Sequence, residues 1–235
     1  MTKTAPLNNV DHGDLRVLVG HGPAFGDNIN QVLIFPTEFE EVQREYPIFF
    51  RKDANGDFQS VALLGLDRDE NLFLNDAGWQ ARYVPAIQQR GPFSIGRSPG
   101  AEPMIHVDLD HPRVSRTDGE AVFLPAGGNS PYLQRVSRIL GTVLDGLEVS
   151  KPMFETFTAL DLIEPVAVEI ELDDRTRYDL PGLYTISQAR LAALTGEELE
   201  RMHASGLLRA ATWVASSVGN VNRLIELKRR KGAAG

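Results

Sequence analysis

Hydrophobic and polar positions in the first half of the chain form short blocks, separated by prolines, glycines and acidic turns. The apolar run Val32 to Phe35 predicts a strand, and the capping-box sequence Thr37 to Glu40 predicts a helix directly after it. Apolar residues at helical spacing give that helix one buried face, and Pro47 ends it because proline disfavours helical geometry in the residue before it. The stripe consists of Phe39, Val42 and Tyr46.

Short strands follow this helix. Ile48 to Phe50 predicts one strand, and Asn55-Gly56 predicts a two-residue hairpin turn, since both residues tolerate a positive φ. Such short connections favour an antiparallel meander. Further strands are predicted at 15–19, 58–66, 71–74, 94–97, 104–109 and 120–124.

The hydrophobic period changes from strand-like to helical at Ser130. Ser130 caps a helix whose first position is Pro131, and a stripe of apolar residues continues to Leu147. A separate short helix is predicted at 153–162, after Pro152, and strict alternation then predicts a hairpin at 166–186. Three more helices are predicted, with caps at Ser187 and Thr195 and a last helix at about 207–231.

These elements predict an α+β fold, in which an N-terminal antiparallel β-rich meander with one short capped helix precedes a mostly helical part with a β-hairpin. We expect a flexible N-terminus at 1–14 and a single domain at 15–235. The loop 125–131 is the candidate boundary between a β-rich subdomain, 15–128, and a helical subdomain with the hairpin, 129–235.

Composition excludes several kinds of protein. The chain of 235 residues has no cysteine, which excludes disulfides, thiolate metal sites and cysteine nucleophiles. Its net charge of −8 argues against nucleic acid as a partner. The N-terminus shows no signal-peptide pattern, and no run is apolar enough to span a membrane, so we expect a soluble, cytoplasmic protein.

Metal binding is limited by the number of histidines, of which there are five. His106 and Asp108 have the spacing that places two side chains on one face of a strand. With His203 as a third ligand they could form an iron site of the two-histidine, one-carboxylate kind. The alternative is that His106 and Asp108 lie at an ordinary strand end and that His203 is an exposed residue at a helix end. In that case the protein has no metal site, and no cofactor is expected.

Other catalytic patterns are incomplete. The chain contains no G-x-S-x-G, S-x-x-K or H-E-x-x-H sequence. The glycine-rich stretch 20–26 lacks the lysine and the following helix of a phosphate-binding loop, so a surface loop is the simpler interpretation. No catalytic residue is therefore proposed.

Aromatic residues between positions 46 and 93 form the densest group of chemically informative side chains. Flat rings offer contact area at low entropic cost, and arginines beside them can bind carboxylates. The group either forms the core under the meander or lines a ligand groove. Its members are Tyr46, Phe49, Phe50, Phe73, Trp79, Tyr83 and Phe93, and the residues predicted to bind a ligand are Tyr46, Arg51, Trp79, Arg82 and Tyr83.

Several segments, in this order, resemble the SapC-like family of bacterial proteins over roughly residues 30–228. One departure is Val107-Asp108, where the family typically has Ile-Asp. The segments are PTEF with QREYPIFF at 36–50, ALLGL with NLFL at 62–74, WQARYVPA at 79–86, HVD at 106–108, GEAVFL at 119–124, SPYL at 130–133, GLYTI at 182–186 and LAALTGEELERMHASGLL at 191–208.

The resemblance implies a bacterial accessory protein, with a name linked to surface layers or peptide sensitivity. It implies no catalytic residue and no cofactor. As partners it suggests halogenase-like, cupin-like or outer-membrane receptor proteins, whose genes often neighbour those of the family.

Three hypotheses follow. The first is a non-catalytic protein that binds a peptide, a small molecule or a partner protein through the aromatic surface. The second is an iron-dependent, oxygenase-like enzyme built on His106 and Asp108. The third is a structural oligomer that assembles through the C-terminal helix.

Overall fold

The structure, a computed structural model, describes residues 3–96, 103–173 and 176–234. The chain divides into two compact units, each made of three separate stretches. Unit 1 consists of 1–27, 74–80 and 86–145, and unit 2 of 28–73, 81–85 and 146–235. The α+β fold class is confirmed, with antiparallel strands concentrated early in the chain and helices late.

Unit 1 contains short strands, one short helix and the start of a long one. Its strands form two three-stranded antiparallel sheets, in the orders β1-β9-β8 and β10-β2-β11, and one hairpin, β6-β7. The elements are β1 (Thr4–Pro6), β2 (Arg16–Val17), β6 (Leu74–Asn75), β7 (Gly78–Trp79), α2 (Ala86–Gln89), β8 (Phe93–Gly96), β9 (Met104–Asp108), β10 (Val114–Ser115), β11 (Glu120–Ala121) and the first half of α3 (Pro131–Ala159).

The core of unit 1 lies between these strands and the first turns of α3. Ser130 begins that helix as predicted, because its hydroxyl accepts a hydrogen bond from the Leu133 amide at 3.1 Å. The predicted stripe is buried at Leu133, Val136 and Leu140. Within the stretch expected to be flexible, β1 pairs with β9, so part of it has regular structure.

Unit 2 is built on a five-stranded antiparallel sheet with the order β12-β13-β4-β5-β3. Helices accompany it, including the second half of α3. The elements are β3 (Gln31–Ile34), α1 (Phe39–Val42), β4 (Ile48–Lys52), β5 (Phe58–Leu63), β12 (Ile163–Asp173), β13 (Thr176–Ile186), α4 (Gln188–Ala193), α5 (Gly196–Ala204), α6 (Leu207–Ser217) and α7 (Val221–Ala234).

The first helix of unit 2 is shorter than its pattern predicts. Pro36 to Glu38 form a 3₁₀ turn, and only one turn of α-helix follows it. The carboxylate that caps the start of this turn belongs to Glu38 and not to Glu40 of the predicted capping box: Glu38 Oε1 accepts a hydrogen bond from the Phe35 amide at 3.0 Å. The apolar stripe is nevertheless confirmed, since Phe39, Val42 and Tyr46 are fully buried.

Pro152 does not divide the long helix, so the prediction of a separate helix at 153–162 is wrong. Proline inside a helix removes a hydrogen bond and costs about 3 kcal/mol. Met153, Phe154 and Phe157 bury their side chains, and the ring of Phe154 packs edge-on against Phe50, with centroids 5.0 Å apart. This packing outweighs the local cost and keeps α3 continuous.

The C-terminal helical segment is present but is divided by a 3₁₀ turn at Val218–Asn220. Ser, Gly and Asn are weak helix formers. Two of these residues also form tertiary hydrogen bonds: Ser217 Oγ accepts from the Ile48 amide at 2.9 Å, and Asn220 donates to the carbonyls of Gln43 and Tyr46. Local propensity and tertiary bonding therefore both favour the turn.

Candidate functional site

The aromatic group between positions 46 and 93 consists largely of core residues. Phe49, Phe50, Phe73 and Phe93 are buried. Tyr46 is also buried, and its hydroxyl donates to the Tyr83 carbonyl at 2.5 Å. A ring held in this way stabilises the fold of unit 2.

Tyr83 itself is half-buried, and its hydroxyl donates to Glu38 Oε2 at 2.8 Å. Burial, followed by the nearby charge of Glu38, raises the pKa of Tyr83 well above its usual value. Tyr83 therefore remains a neutral hydrogen-bond donor.

The remaining predicted residues lie on several different elements of the two units. Trp79 belongs to unit 1, where its ring contacts His21 edge-on at 5.4 Å, whereas the other four belong to unit 2. The backbone amide of Arg82 donates to Glu45 Oε2 at 2.7 Å. Arg51 lies on β4 and lines a separate cavity with Lys52 and Tyr184. Binding through this particular set stays a prediction.

The residues predicted to bind iron are placed on different elements. His106 and Asp108 lie on β9 of unit 1, two positions apart as the spacing predicts, and His203 lies in α5 of unit 2. Nδ1 of His106 is buried and has no hydrogen-bond partner within the described residues. In the same part of the chain, no three His, Asp or Glu side chains form a group that could hold a metal ion. The iron site stays a prediction.

Unit 2 contains a groove between its sheet and the second half of α3. Strand register sets its floor, since Ile34 pairs with Ser60 and Ser60 pairs with Phe50, so the three side chains project from one face. Phe58 lies two residues before Ser60 and belongs to the same face. The groove has a volume of about 780 Å³.

The wall of this groove is a stripe on α3. Leu147, Lys151, Phe154 and Thr158 recur at three- and four-residue spacing and line the cavity. The ring of Phe154 stacks on that of Phe58, with centroids 5.7 Å apart and planes 26° apart. Leu147 is 54% exposed, so the apolar surface is open to solvent at this end.

Charges around the groove are predominantly acidic. Asp53, Asp57 and Glu155 line it together with Lys151, whose Nζ lies 4.0 Å from Glu155. A second cation, Lys52, lies beside the lining with its Nζ 5.2 Å from the centroid of the Phe58 ring. The groove therefore combines an apolar floor with a negative rim.

Asp53 also accepts from the amides of Asn55 and Asp57, which holds the turn at the rim. The predicted two-residue hairpin is wrong: Lys52 pairs with Phe58, so five residues connect the strands, and of Asn55 and Gly56 only the glycine has a positive φ.

Strand β3, at the edge of the sheet, forms another side of the groove through Leu33 and Ile34. The Asn30 carbonyl accepts from the Leu64 amide at 2.7 Å, which directs the backbone groups of Val32 and Ile34 toward β5. By alternation, those of Gln31 and Leu33 are directed to the outer edge. Such an edge can pair with another extended chain.

Sequence reasoning missed most of this groove. Phe58 and Ser60 are part of a predicted strand, but nothing local indicates which face α3 covers. The stripe from Leu147 to Thr158 was hidden by the wrong prediction of a break at Pro152. One signal in the sequence does indicate a continuous helix: the spacing of Leu147, Phe154 and Thr158 stays helical on both sides of Pro152.

No helix within the described residues is both long enough and apolar enough to cross a membrane. A family model described as SapC matches residues 7–224. No curated protein and no solved structure matches the chain.

Proposed function

The chain belongs to the SapC family, and we propose that this member is a non-catalytic binding protein. Its ligand is an extended, apolar peptide segment that carries a positive charge, and its binding site is the groove of unit 2. The observation that supports this most directly is the open apolar surface around Phe58, Phe154 and Leu147.

The size and lining of the groove suit an organic ligand. Ligand cavities are on the order of 300–1,000 Å³ and combine apolar side chains with a few polar groups. The groove has both, and its polar groups include Ser60, whose Oγ is buried with no partner in the described part of the chain. A buried hydroxyl without a partner costs free energy, so a ligand that bonds to it gains affinity.

Backbone geometry favours a peptide over other organic ligands. An extended segment placed along β3 could bond to the outward backbone groups of Gln31 and Leu33, while its side chains enter the groove. Main-chain bonding of this kind supplies affinity, and the groove supplies the selection of apolar side chains.

Charge complementarity selects the sign of the ligand. Asp53, Asp57 and Glu155 line the groove against Lys151, and with Lys52 beside Phe58 counted as well, one negative charge remains in excess. A lysine or arginine beside the apolar residues of the peptide would face this rim. An acidic peptide of the same hydrophobicity would be repelled.

The test is fluorescence anisotropy with labelled peptides of alternating valine and lysine, against matched peptides of valine and glutamate. We expect saturable binding of the lysine peptide only. Leu147→Arg should weaken it at least tenfold, because it removes apolar contact and adds like charge. The matched control is Val149→Arg, since Val149 is 44% exposed on the same helix but outside the groove lining, and it should change affinity less than twofold.

Equal effects of the two variants would show that the peptide binds elsewhere and would overturn the proposal. So would a lack of binding by both peptides, or binding of a valine–glutamate peptide with the same affinity.

A further inference from the structure

Unit 1 contains a second, chemically different cavity of about 260 Å³. Its volume is below the roughly 300–1,000 Å³ of pockets for drug-sized ligands, so its occupant is small. Charged and polar side chains dominate the lining, which includes Asp27, Arg90, Ser94, Asp108, His111 and Arg113. All of them belong to unit 1.

Two of these charges neutralise each other. Arg113 is nearly buried, and its Nη2 donates to Asp27 Oδ2 at 2.9 Å. The same guanidinium bonds to the Gly20 carbonyl and stacks on the Phe25 ring, 4.4 Å from its centroid. The Gly22 amide also donates to Asp27 Oδ2, at 2.9 Å. The glycine-rich stretch 20–26 thus supports one wall of the cavity, and Arg113 has little left to offer a ligand.

Arg90 is the available cation. Its Nη1 donates to the Phe93 carbonyl at 2.7 Å, while its Nε is buried without a partner in the described residues. No ion pair joins Arg90 to a carboxylate anywhere in that part of the chain. A guanidinium presents five N–H donors, so donors remain for a planar, bidentate acceptor such as a carboxylate.

His111 adds a neutral donor. The Arg113 amide donates to His111 Nδ1 at 3.1 Å, so Nδ1 is an acceptor and the proton of the neutral ring sits on Nε2. Burial, and then the charge of Arg113, lower the pKa of His111. The imidazole is therefore uncharged at neutral pH and can donate one hydrogen bond from Nε2.

Asp108 is the available anion. Its Oδ1 accepts from the Asp110 amide at 3.1 Å, and within the described residues it forms no ion pair. Arg90 and Asp108 therefore line one small cavity with opposite charges, without being paired to each other. The complement of such a lining is a molecule that carries one negative and one positive group.

We infer that this cavity binds a small amino carboxylate of the size of a short α-amino acid. Arg90 receives the carboxylate, with the His111 ring as a further donor, and Asp108 receives the ammonium. Asp108, whose charge is not neutralised by an ion pair within the described residues, disfavours an inorganic dianion such as phosphate. This inference is independent of the peptide groove in unit 2.

The test is isothermal titration calorimetry with alanine and serine, against propionate, propylamine and inorganic phosphate. We expect the amino acids to bind at least tenfold more tightly than the compounds with a single charge. Asp108→Asn removes the negative charge and leaves the shape of the side chain nearly unchanged. It should therefore lower the affinity for alanine at least tenfold, while the affinity for propionate stays equal or rises. That reversal of preference would not result from a general loss of folding.

The matched control is Asp110→Asn, in the same turn but outside the cavity lining, which should leave alanine binding within twofold. Tightest binding of phosphate would overturn the inference in favour of an anion site. Absence of any binding, or an unchanged preference in Asp108→Asn, would overturn it as well.

Discussion

At the scale of single residues, the environment of His106 depends on a glycine of the neighbouring strand. Ser94 pairs with His106 across β8 and β9, and Gly96 lies at the diagonal position on the same face. A Cβ atom at Gly96 would lie 1.9 Å from His106 Cε1. Only glycine leaves the ring its present position.

Gly96→Ala should therefore destabilise the protein by about 1–3 kcal/mol, the usual cost of overpacking. Chemical denaturation at neutral pH measures the change in free energy of unfolding. The same substitution in a His106→Ala background should cost less than about 0.5 kcal/mol, because the colliding ring is gone. A cost that is equal in both backgrounds would contradict the steric explanation.

At the scale of elements, α3 approaches the end of β3 and the 3₁₀ turn at Pro36–Glu38 closely, because it has a glycine at the contact. A Cβ at Gly146 would lie 2.3 Å from Phe35 Cβ and 2.7 Å from Thr37 Oγ1. The first of these atoms is joined directly to backbone, so it cannot move away without a shift of the strand end. This contact sets the distance between α3 and the sheet beside the groove.

Gly146→Ala should cost about 1–3 kcal/mol or more, even though alanine favours helices. Gly141→Ala is the matched control on the same helix, since a Cβ there meets nothing within 4 Å. It should stabilise the protein by up to about 1 kcal/mol. Thermal unfolding of the two variants should therefore shift in opposite directions, and a parallel shift would be inconsistent with the close approach.

At the scale of the molecule, the net charge of −8 makes the placement of cations important. Lys228, in α7, bonds to Glu70 at 2.8 Å and also to Asp67, more than 150 residues earlier in the sequence. Burial disfavours the charge of Lys228, but its bonds to Asp67 and Glu70 outweigh burial and raise its pKa. Burial likewise opposes the charge of Glu70, yet the bonds from Lys228 and Lys231 lower its pKa overall.

A lowered pKa in the folded state means that Glu70 contributes stability above the pKa of an unfolded glutamate, about 4.3, and loses it as the pH falls through the folded value. Lys228→Met should cost about 1–3 kcal/mol at pH 7, since it leaves Glu70 without its main partner. The difference from the parent protein should shrink as the pH falls below about 4.3. Urea denaturation across pH 3–7 measures it, with Arg230→Met as an exposed control on α7; a pH-independent difference would rule out the charge pair as the cause.

Much of the fold was predictable, because strand and helix periods are local properties of the sequence. The stripe Phe39, Val42 and Tyr46, the strand that carries His106 and Asp108, and the cap at Ser130 are all confirmed. The break predicted at Pro152 is wrong because the prediction includes the local cost of proline in a helix but not the free energy gained when the side chains after it are buried. Neither cavity was predicted, since each is lined by residues far apart in sequence, such as Ile34 with Phe154, or Asp27 with Arg113.

The sequence by itself determined the α+β class, the family and the separation of strand-rich from helix-rich parts, because these depend on residue order and hydrophobic period. Only the tertiary structure decided that most residues of the aromatic group belong to the core, and that the solvent-exposed apolar groove lies beside α3. It alone also showed that Arg90 and Asp108 line one small cavity. The physical reason is that burial and charge pairing depend on which surfaces meet, and strand pairing brings together residues that no local pattern connects.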